Sequence, residues 1–78
     1  MNNTRREELR AILSTLETAM EALDVIKGDE EEYRDNIPEN LYGSIRYEVA
    51  SEAVGNMEYA LDELESVCSS ITSAIDGE

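Results

Sequence analysis

The sequence predicts an all-α fold, an antiparallel hairpin of two helices that forms a single domain over residues 1–78. Two observations lead to this prediction. Apolar residues recur at three- and four-residue steps along two long segments, which is the spacing of a helix face. The one proline of the chain, Pro38, lies between these segments in a stretch of turn-forming residues.

The first helix is expected over residues 5–35. Thr4 and Glu7 have the spacing of a capping box, in which each side chain binds the backbone N–H of the other residue. The apolar residues that follow at helical spacing are Leu9, Ile12, Leu13, Leu16, Ala19, Met20, Leu23 and Ile26. Gly28 interrupts this pattern and costs about 1 kcal/mol relative to alanine, so a helix that stops at Lys27 is the alternative.

A turn is expected over residues 36–43, because Pro38 disfavours a helical conformation at the residue before it. The second helix is expected over residues 44–75, with Ser44 as its N-cap. Its apolar stripe consists of Ala50, Ala53, Val54, Met57, Ala60, Leu61, Leu64, Val67, Cys68, Ile71, Ala74 and Ile75. On a heptad that begins with Leu9 in one helix and Ala50 in the other, both helices have apolar residues at positions a, d and e.

The stripe at positions a, d and e is wider than the seam between two helices requires. We therefore expect a second copy of the hairpin to complete a four-helix bundle with twofold symmetry. The alternative is that the open side is kept for a different protein. The predicted dimer core consists of Leu9, Leu16, Leu23, Met57, Leu64 and Ile71.

The small size of the chain also favours self-association, because a domain of 78 residues buries only a small core. Cys68 is the only cysteine and the chain contains no histidine, so neither a disulfide nor a zinc site is expected to stabilise it. Cys68 falls at position e, where we expect a structural and not a reactive role. No cofactor is expected.

The chain carries a strong acidic excess, with 19 Asp and Glu against 6 Lys and Arg and a net charge of −13. This charge attracts basic surfaces and repels nucleic acid and anionic membranes, so neither of the latter is expected as a direct partner. In the hairpin, Arg5, Arg6 and Arg10 should lie beside the C-terminal end of the second helix, where positive charge complements the helix dipole.

Carboxylates at heptad positions b and f form a strip along each helix. The strips consist of Glu17, Glu21, Asp24, Glu31 and Asp35 in the first helix and Glu48, Glu58, Asp62 and Glu65 in the second. Neighbouring carboxylates are about 5–6 Å apart at Cβ, close to the reach between successive phosphates, so the strips predict an imitation of a nucleic-acid backbone. A merely solvated helix face is the alternative. Tyr59, beside Glu58, is the expected contact anchor.

Catalysis is not expected, because the chain has no histidine and its acids point outward by periodicity. The acids at 30, 31, 32 and 35 have the donor type for a divalent cation, and Glu32-x-x-Asp35 resembles a fragment of all-helical nucleotide pyrophosphohydrolases. A magnesium-dependent active site of that kind needs acids that converge from several helices. The sequence therefore predicts a protein that is not an enzyme.

The segment EYRDNIPENL at residues 32–41, with GSIRYE at residues 43–48, resembles a group of small acidic helical proteins from phages and mobile elements of Gram-positive bacteria. The resemblance implies a phage or prophage setting and supplies no catalytic or binding residues. Small acidic phage proteins block host nucleases and other defence proteins, and by analogy we expect a counter-defence role here.

Two functions remain open at this point. The first is an inhibitor or DNA mimic that occupies a basic surface of a host defence or nucleic-acid-binding protein, for example a nuclease. The alternative is a structural, assembly or chaperone-like oligomer that acts through the apolar stripe, with the charge serving only solubility. The N-terminus has no apolar signal region and no segment reaches membrane-spanning length, so we expect the cytoplasm, that of the bacterial host for a phage-encoded protein.

Overall fold

The computed structural model describes residues 1–77, which form two long helices joined by a short connection. Helix α1 spans Asn3–Asp35 and helix α2 spans Ile45–Asp76, with a single 3₁₀ turn at Glu39–Leu41 between them. The helices contact each other as a hairpin, and no strand occurs among the described residues. The fold is therefore all-α, as predicted, and its Cα atoms extend over 59 × 15 × 13 Å.

The N-terminal end of α1 differs from the sequence prediction. Asn2 is the N-cap, and its side-chain oxygen accepts a hydrogen bond of 2.8 Å from the backbone N–H of Arg5. Thr4 lies inside the first turn, so the predicted capping box between Thr4 and Glu7 is wrong. Asparagine is a stronger N-cap than threonine, which explains why the helix begins earlier than expected.

Helix α1 continues through Gly28 and does not stop at Lys27. The Nζ atom of Lys27 lies 3.9 Å from an Asp24 carboxylate oxygen and 3.5 Å from a Glu31 carboxylate oxygen. The pair with Asp24 lies before the glycine and the pair with Glu31 spans it, and each favours the helical conformation by a few tenths of a kcal/mol. Together with the helical residues on either side, they offset the conformational cost of the glycine.

The connection is an ordered turn that closes one end of the hairpin. The backbone N–H of Asn36 bonds the Glu32 carbonyl at 3.0 Å, and the side chain of Ile37 is buried. At the start of α2, the Ser44 hydroxyl accepts the backbone N–H of Tyr47 at 3.3 Å, which makes Ser44 the N-cap. The rings of Tyr42 and Tyr47 stack with their centroids 4.5 Å apart, so two aromatic side chains cover this end of the seam.

Positions a and e of both helices form the seam, whereas position d is exposed along α1 and is half-buried only at Ala53 and Ala60 of α2. In α2 the buried residues Ala50, Val54 and Ile75 all fall at a or e. In α1 the half-buried residues are likewise at a and e, apart from Glu31 at b, and they comprise Arg6, Leu9, Leu13, Leu16, Met20, Leu23, Lys27, Glu30 and Arg34. The predicted stripe is therefore divided, because two of its three heptad positions serve the hairpin and the third is largely open to solvent.

Two contacts fix how the helices align along the seam. The Nε atom of Arg6 donates to the Ile75 carbonyl at 3.2 Å, which confirms that an N-terminal arginine lies at the C-terminal end of α2. The Cys68 thiol lies 3.7 Å from the Met20 sulfur, and Cys68 is half-buried. Neither helix is long and apolar enough over residues 1–77 to span a membrane.

Candidate interaction faces

The antiparallel direction of the helices gives the hairpin two broad faces. Because a and e lie in the seam of both helices, the b positions of both helices fall on one side of it and the d positions on the other. We name the side that carries b and f the acidic face and the side that carries d the apolar face. The two faces lie on opposite sides of the same seam.

The acidic face brings the two predicted carboxylate strips together. It contains all of the predicted strip residues, Glu17, Glu21, Asp24, Glu31, Asp35, Glu48, Glu58, Asp62 and Glu65. At its centre, residues of both helices line one shallow depression, formed by Asp24, Lys27, Glu58, Leu61, Asp62 and Glu65. The Asp24 and Glu58 side chains remain well exposed there, so their carboxylates are accessible to a partner.

Lys27 joins the two strips, and the sequence interpretation gave it no part in the site. Its Nζ atom lies 3.9 Å from a Glu58 carboxylate oxygen across the seam, in addition to its pairs with Asp24 and Glu31. Its side chain is only 21% exposed. The signal was present, because Lys27 occupies position e between acids at i−3 and i+4. The lysine thus reduces the repulsion between the strips at the place where they meet.

Arg34 neutralises the acidic face at its end near the connection. Its Nε atom donates to an Asp35 carboxylate oxygen at 3.1 Å. That hydrogen bond raises the pKa of the Arg34 guanidinium above its ordinary value, so the arginine remains cationic beside Asp35. Asp35 is therefore less available to a basic partner than Asp62 or Glu65 farther along the rod.

The apolar face includes a stretch of α1 without any charged side chain. Positions c, d and g between residues 11 and 26 are all exposed and hold Ala11, Ile12, Thr15, Thr18, Ala19, Ala22, Val25 and Ile26. The exposed fractions are 49% for Ile12, 63% for Val25 and 56% for Ile26. Scattered exposed apolar residues are normal, but a contiguous row of them marks an interaction surface.

Two shallow grooves mark the apolar face near its ends. The groove at the free ends is lined by Leu9, Ser66, Val67, Ser70, Ile71 and Ala74, and the groove near the connection by Glu30, Tyr33, Arg46, Val49 and Ala50. Each groove takes residues from both helices. The d positions of α1 and α2 therefore border the same surface, as the antiparallel geometry requires.

The residues predicted for a dimer core lie in the seam of the single chain. Leu9, Leu16, Leu23, Met57, Leu64 and Ile71 are all half-buried. Position a lies between e and d on the helix surface, so these side chains border the apolar face, and Leu9 and Ile71 line one of its grooves. Their contribution to a dimer stays a prediction.

The remaining predicted site residue, Tyr59, and the acids at 30–32 lie outside the central depression of the acidic face. Tyr59 is 66% exposed on the outer side of α2, beside the acidic face. The acids at 30–32 point in different directions, because successive helical residues are rotated by about 100°. Glu30 borders the apolar face whereas Glu31 pairs with Lys27 on the other side. In residues 1–77, no group of three His, Cys, Asp or Glu side chains is placed to hold a metal ion.

The two faces thus differ in chemistry and share one scaffold. The acidic face presents carboxylates with Lys27 at its centre, and the apolar face presents small and branched aliphatic side chains. Comparison with known proteins returned no matching family model, no matching curated protein and no matching solved structure.

Proposed function

We propose that this protein is a non-catalytic interaction protein that pairs with a second copy through its apolar face and binds a basic protein surface through its acidic face. The observation that carries the proposal is the separation of the two faces by the seam. A dimer that joins the apolar faces completes a four-helix bundle and leaves one acidic face on each outer side. Dimerisation and partner binding then use different surfaces.

The shallow core of the hairpin supports the dimer. Among residues 1–77, only Ile37, Ala50, Val54 and Ile75 are buried apolar side chains, and no side chain is below 2% exposed. A chain of this size has little stability to spare, and burial of further apolar area contributes about 25 cal/mol per Å². Covering Ile12, Val25 and Ile26 would supply such area.

The charge and shape of the acidic face support a partner that otherwise binds nucleic acid. The net charge is −13, and the rod is 59 Å long with carboxylates at helical spacing along it. A groove that neutralises successive phosphates with Lys and Arg can accept the same spacing of carboxylates. We propose a nuclease or another nucleic-acid-binding protein as the partner, in the bacterial cytoplasm and in a phage counter-defence setting.

The test is competition with nucleic acid for a captured partner. The immobilised protein is used to capture binding proteins from an extract of a Gram-positive host, and DNA and RNA are then titrated against each captured protein over a salt series. The variant is the triple reversal Glu58→Lys, Asp62→Lys and Glu65→Lys. The matched control is Glu32→Lys, Glu39→Lys and Glu52→Lys, all exposed residues outside the central depression.

Both triple variants change the net charge from −13 to −7, so they separate the position of the charge from its amount. We expect the first variant to lose binding and the control to keep most of it, with affinity that falls steeply as salt rises. Equal loss in both variants would indicate a non-specific charge effect. A partner that binds this protein and nucleic acid simultaneously would contradict mimicry.

A second candidate is an assembly or chaperone-like role in which the apolar face itself binds another protein. The exposed Val25, Ile26 and Val49 favour this candidate, because they make the apolar surface larger than the packing of the two helices requires. The two candidates differ in their response to salt. Binding through the apolar face should be insensitive to ionic strength and should survive the reversal of Glu58, Asp62 and Glu65.

A further inference from the structure

Each helix contains one interior glycine, and neither glycine has a packing role in the hairpin. Of the four glycines in the chain, Gly28 lies inside α1 and Gly55 lies inside α2. Both are exposed, and a Cβ atom at either position would meet no atom of the neighbouring helix within 4 Å. After proline, glycine is the least favourable residue in a helix interior. The hairpin would therefore accept alanine at both positions, and its packing gives no reason for glycine.

The residue that follows each glycine also disfavours the helix. Asp29 follows Gly28 and Asn56 follows Gly55, and both are exposed. Aspartate and asparagine have low helix propensity, because their short polar side chains compete for backbone hydrogen bonds. Each helix thus contains one adjacent pair of residues at which its backbone hydrogen bonds are weakened. We name these two pairs, 28–29 and 55–56, the weak points.

The two weak points lie at about the same distance from the connection. Helix α1 ends seven residues after Gly28, and α2 begins ten residues before Gly55. At 1.5 Å per residue these distances are about 10 and 15 Å, so they differ by about one helical turn. The contact of 3.9 Å between Lys27 and Glu58 agrees with this placement, because Lys27 precedes one weak point and Glu58 follows the other. A bend at this level can therefore occur in both helices together.

The seam is polar beside the weak points. Position e of α1 holds Lys27 there, whereas the two preceding e positions hold Leu13 and Met20. The Lys27 side chain contacts Glu58 across the seam at 3.9 Å, and the Glu58 side chain is 57% exposed. Exposed ion pairs contribute little to stability, so the contact between the helices is weaker here than between apolar side chains.

The packing on the connection side of the weak points forms a unit of its own. Three of the four buried apolar side chains of residues 1–77 lie there, at Ile37, Ala50 and Val54. The stacked rings of Tyr42 and Tyr47 belong to the same segment. We name residues 29–54 the tip, and the helical residues before Gly28 and after Asn56 the arms. The weak points therefore coincide with the boundary between the tip and the arms.

We infer that the hairpin has a hinge at the two weak points, at which the tip moves as a unit relative to the arms. This inference goes beyond the proposed function and requires neither a partner nor a second copy. Hinges are a few residues that absorb a change in backbone conformation, and glycine does so at low steric cost. Bending would change the curvature of the acidic face and of the apolar face together, because both faces lie on the same two helices.

The experiment measures amide residual dipolar couplings of the protein in a dilute aligned medium. In a rigid rod, the tip and the arms share one alignment tensor and one degree of order. We expect a lower degree of order for the tip than for the arms, because bending averages the couplings of the smaller unit. Equal order in the tip and the arms would overturn the hinge.

The double variant Gly28→Ala and Gly55→Ala tests whether the glycines cause the motion. Both alanines fit without a clash, so we expect the tip and the arms to reach the same degree of order. Hydrogen exchange of the amides within one turn after each glycine should slow about fivefold. The matched control is Ser14→Ala and Ser69→Ala, which changes one exposed residue in each helix at the same heptad position, f, away from the weak points.

The control variant should leave the order of the tip and the exchange at the weak points unchanged. If the double glycine variant keeps the difference in order, the motion does not arise at the glycines and the hinge is wrong. If the control removes the difference as well, a general gain in helix stability is the cause, and that result also contradicts a hinge at the weak points. None of these results depends on dimerisation or on binding by the acidic face, so they are independent of the proposed function.

Discussion

The acidic face and the apolar face lie on the same two helices. They differ in whether their exposed side chains would be expected on any helical hairpin in water. Exposed carboxylates such as Asp62 and Glu65 are suited to any solvated helix, and their arrangement becomes informative only because both helices direct them to one side. Exposed aliphatic residues such as Ile12 and Ile26 have no such ordinary explanation. The apolar face therefore gives the stronger indication of a partner, and the acidic face gives the stronger indication of that partner's chemistry.

The largest expected effect is on the seam that both faces share. Leu64→Asp introduces an unpaired charge at a half-buried a position in the middle of α2, at a cost of several kcal/mol. We expect loss of most helical signal in circular dichroism at 25 °C. Glu63→Asp, at the neighbouring exposed position, is the control and should retain the native spectrum. A folded Leu64→Asp variant would contradict the assignment of position a to the seam.

A smaller effect is expected for the same substitution on the apolar face. Ile26→Asp changes a residue that is 56% exposed in the single chain, so the hairpin itself should tolerate the charge. The dimer should not, because the charge would be desolvated between the subunits. We expect sedimentation to show a monomer at concentrations where the wild type is dimeric, and thermal stability to become independent of concentration. If Ile26→Asp leaves the dimer intact, its interface lies elsewhere.

The sequence predicted the fold class because the signals for it are local. Helical periodicity and the single Pro38 determine two helices and a turn without reference to tertiary contacts. The predicted start of α1 was wrong because Asn2 and Thr4 are both good caps, and only the hydrogen bond to Arg5 identifies the one that is used. Helix α1 passes through Gly28 within the predicted range 5–35, and the ion pair of Lys27 with Glu31 bridges the glycine.

The division of the stripe into seam and open face was absent from the sequence prediction. In α1 position d is more apolar than position e, which includes Lys27 and Arg34, so this helix alone would favour the wrong position for the seam. A signal exists in α2, where the e residues Val54, Leu61 and Ile75 are larger than the alanines that dominate position d. Larger side chains bury more area and favour the seam. The carboxylate strips were easier to predict, because exposed positions follow from helical periodicity alone. Their junction at Lys27 depends on a contact between the two helices, which periodicity does not determine.

A modest effect is expected at the centre of the acidic face. Lys27→Met keeps the aliphatic stem of a side chain that is 21% exposed and removes the charge shared by Asp24, Glu31 and Glu58. Partly exposed ion pairs contribute little, so we expect a loss of less than about 1 kcal/mol in unfolding free energy. The loss should shrink in high salt, because screening weakens the carboxylate repulsion that remains. A loss that is unchanged by salt would assign the role of Lys27 to packing.

The smallest effect is expected at Cys68, which lies in the seam between the two faces and belongs to neither. Its thiol contacts the Met20 sulfur at 3.7 Å, and a half-buried side chain of this size contributes little area. Cys68→Ala should therefore lower the unfolding free energy by about 1 kcal/mol or less, measured by urea denaturation, and should leave dimerisation and partner binding unchanged. Because the substitution leaves Met20 and the rest of the seam in place, loss of partner binding in a folded dimer would show that the thiol acts chemically. In that case the separation of function between the acidic and apolar faces would be incomplete, since a residue of the seam would also contribute to binding.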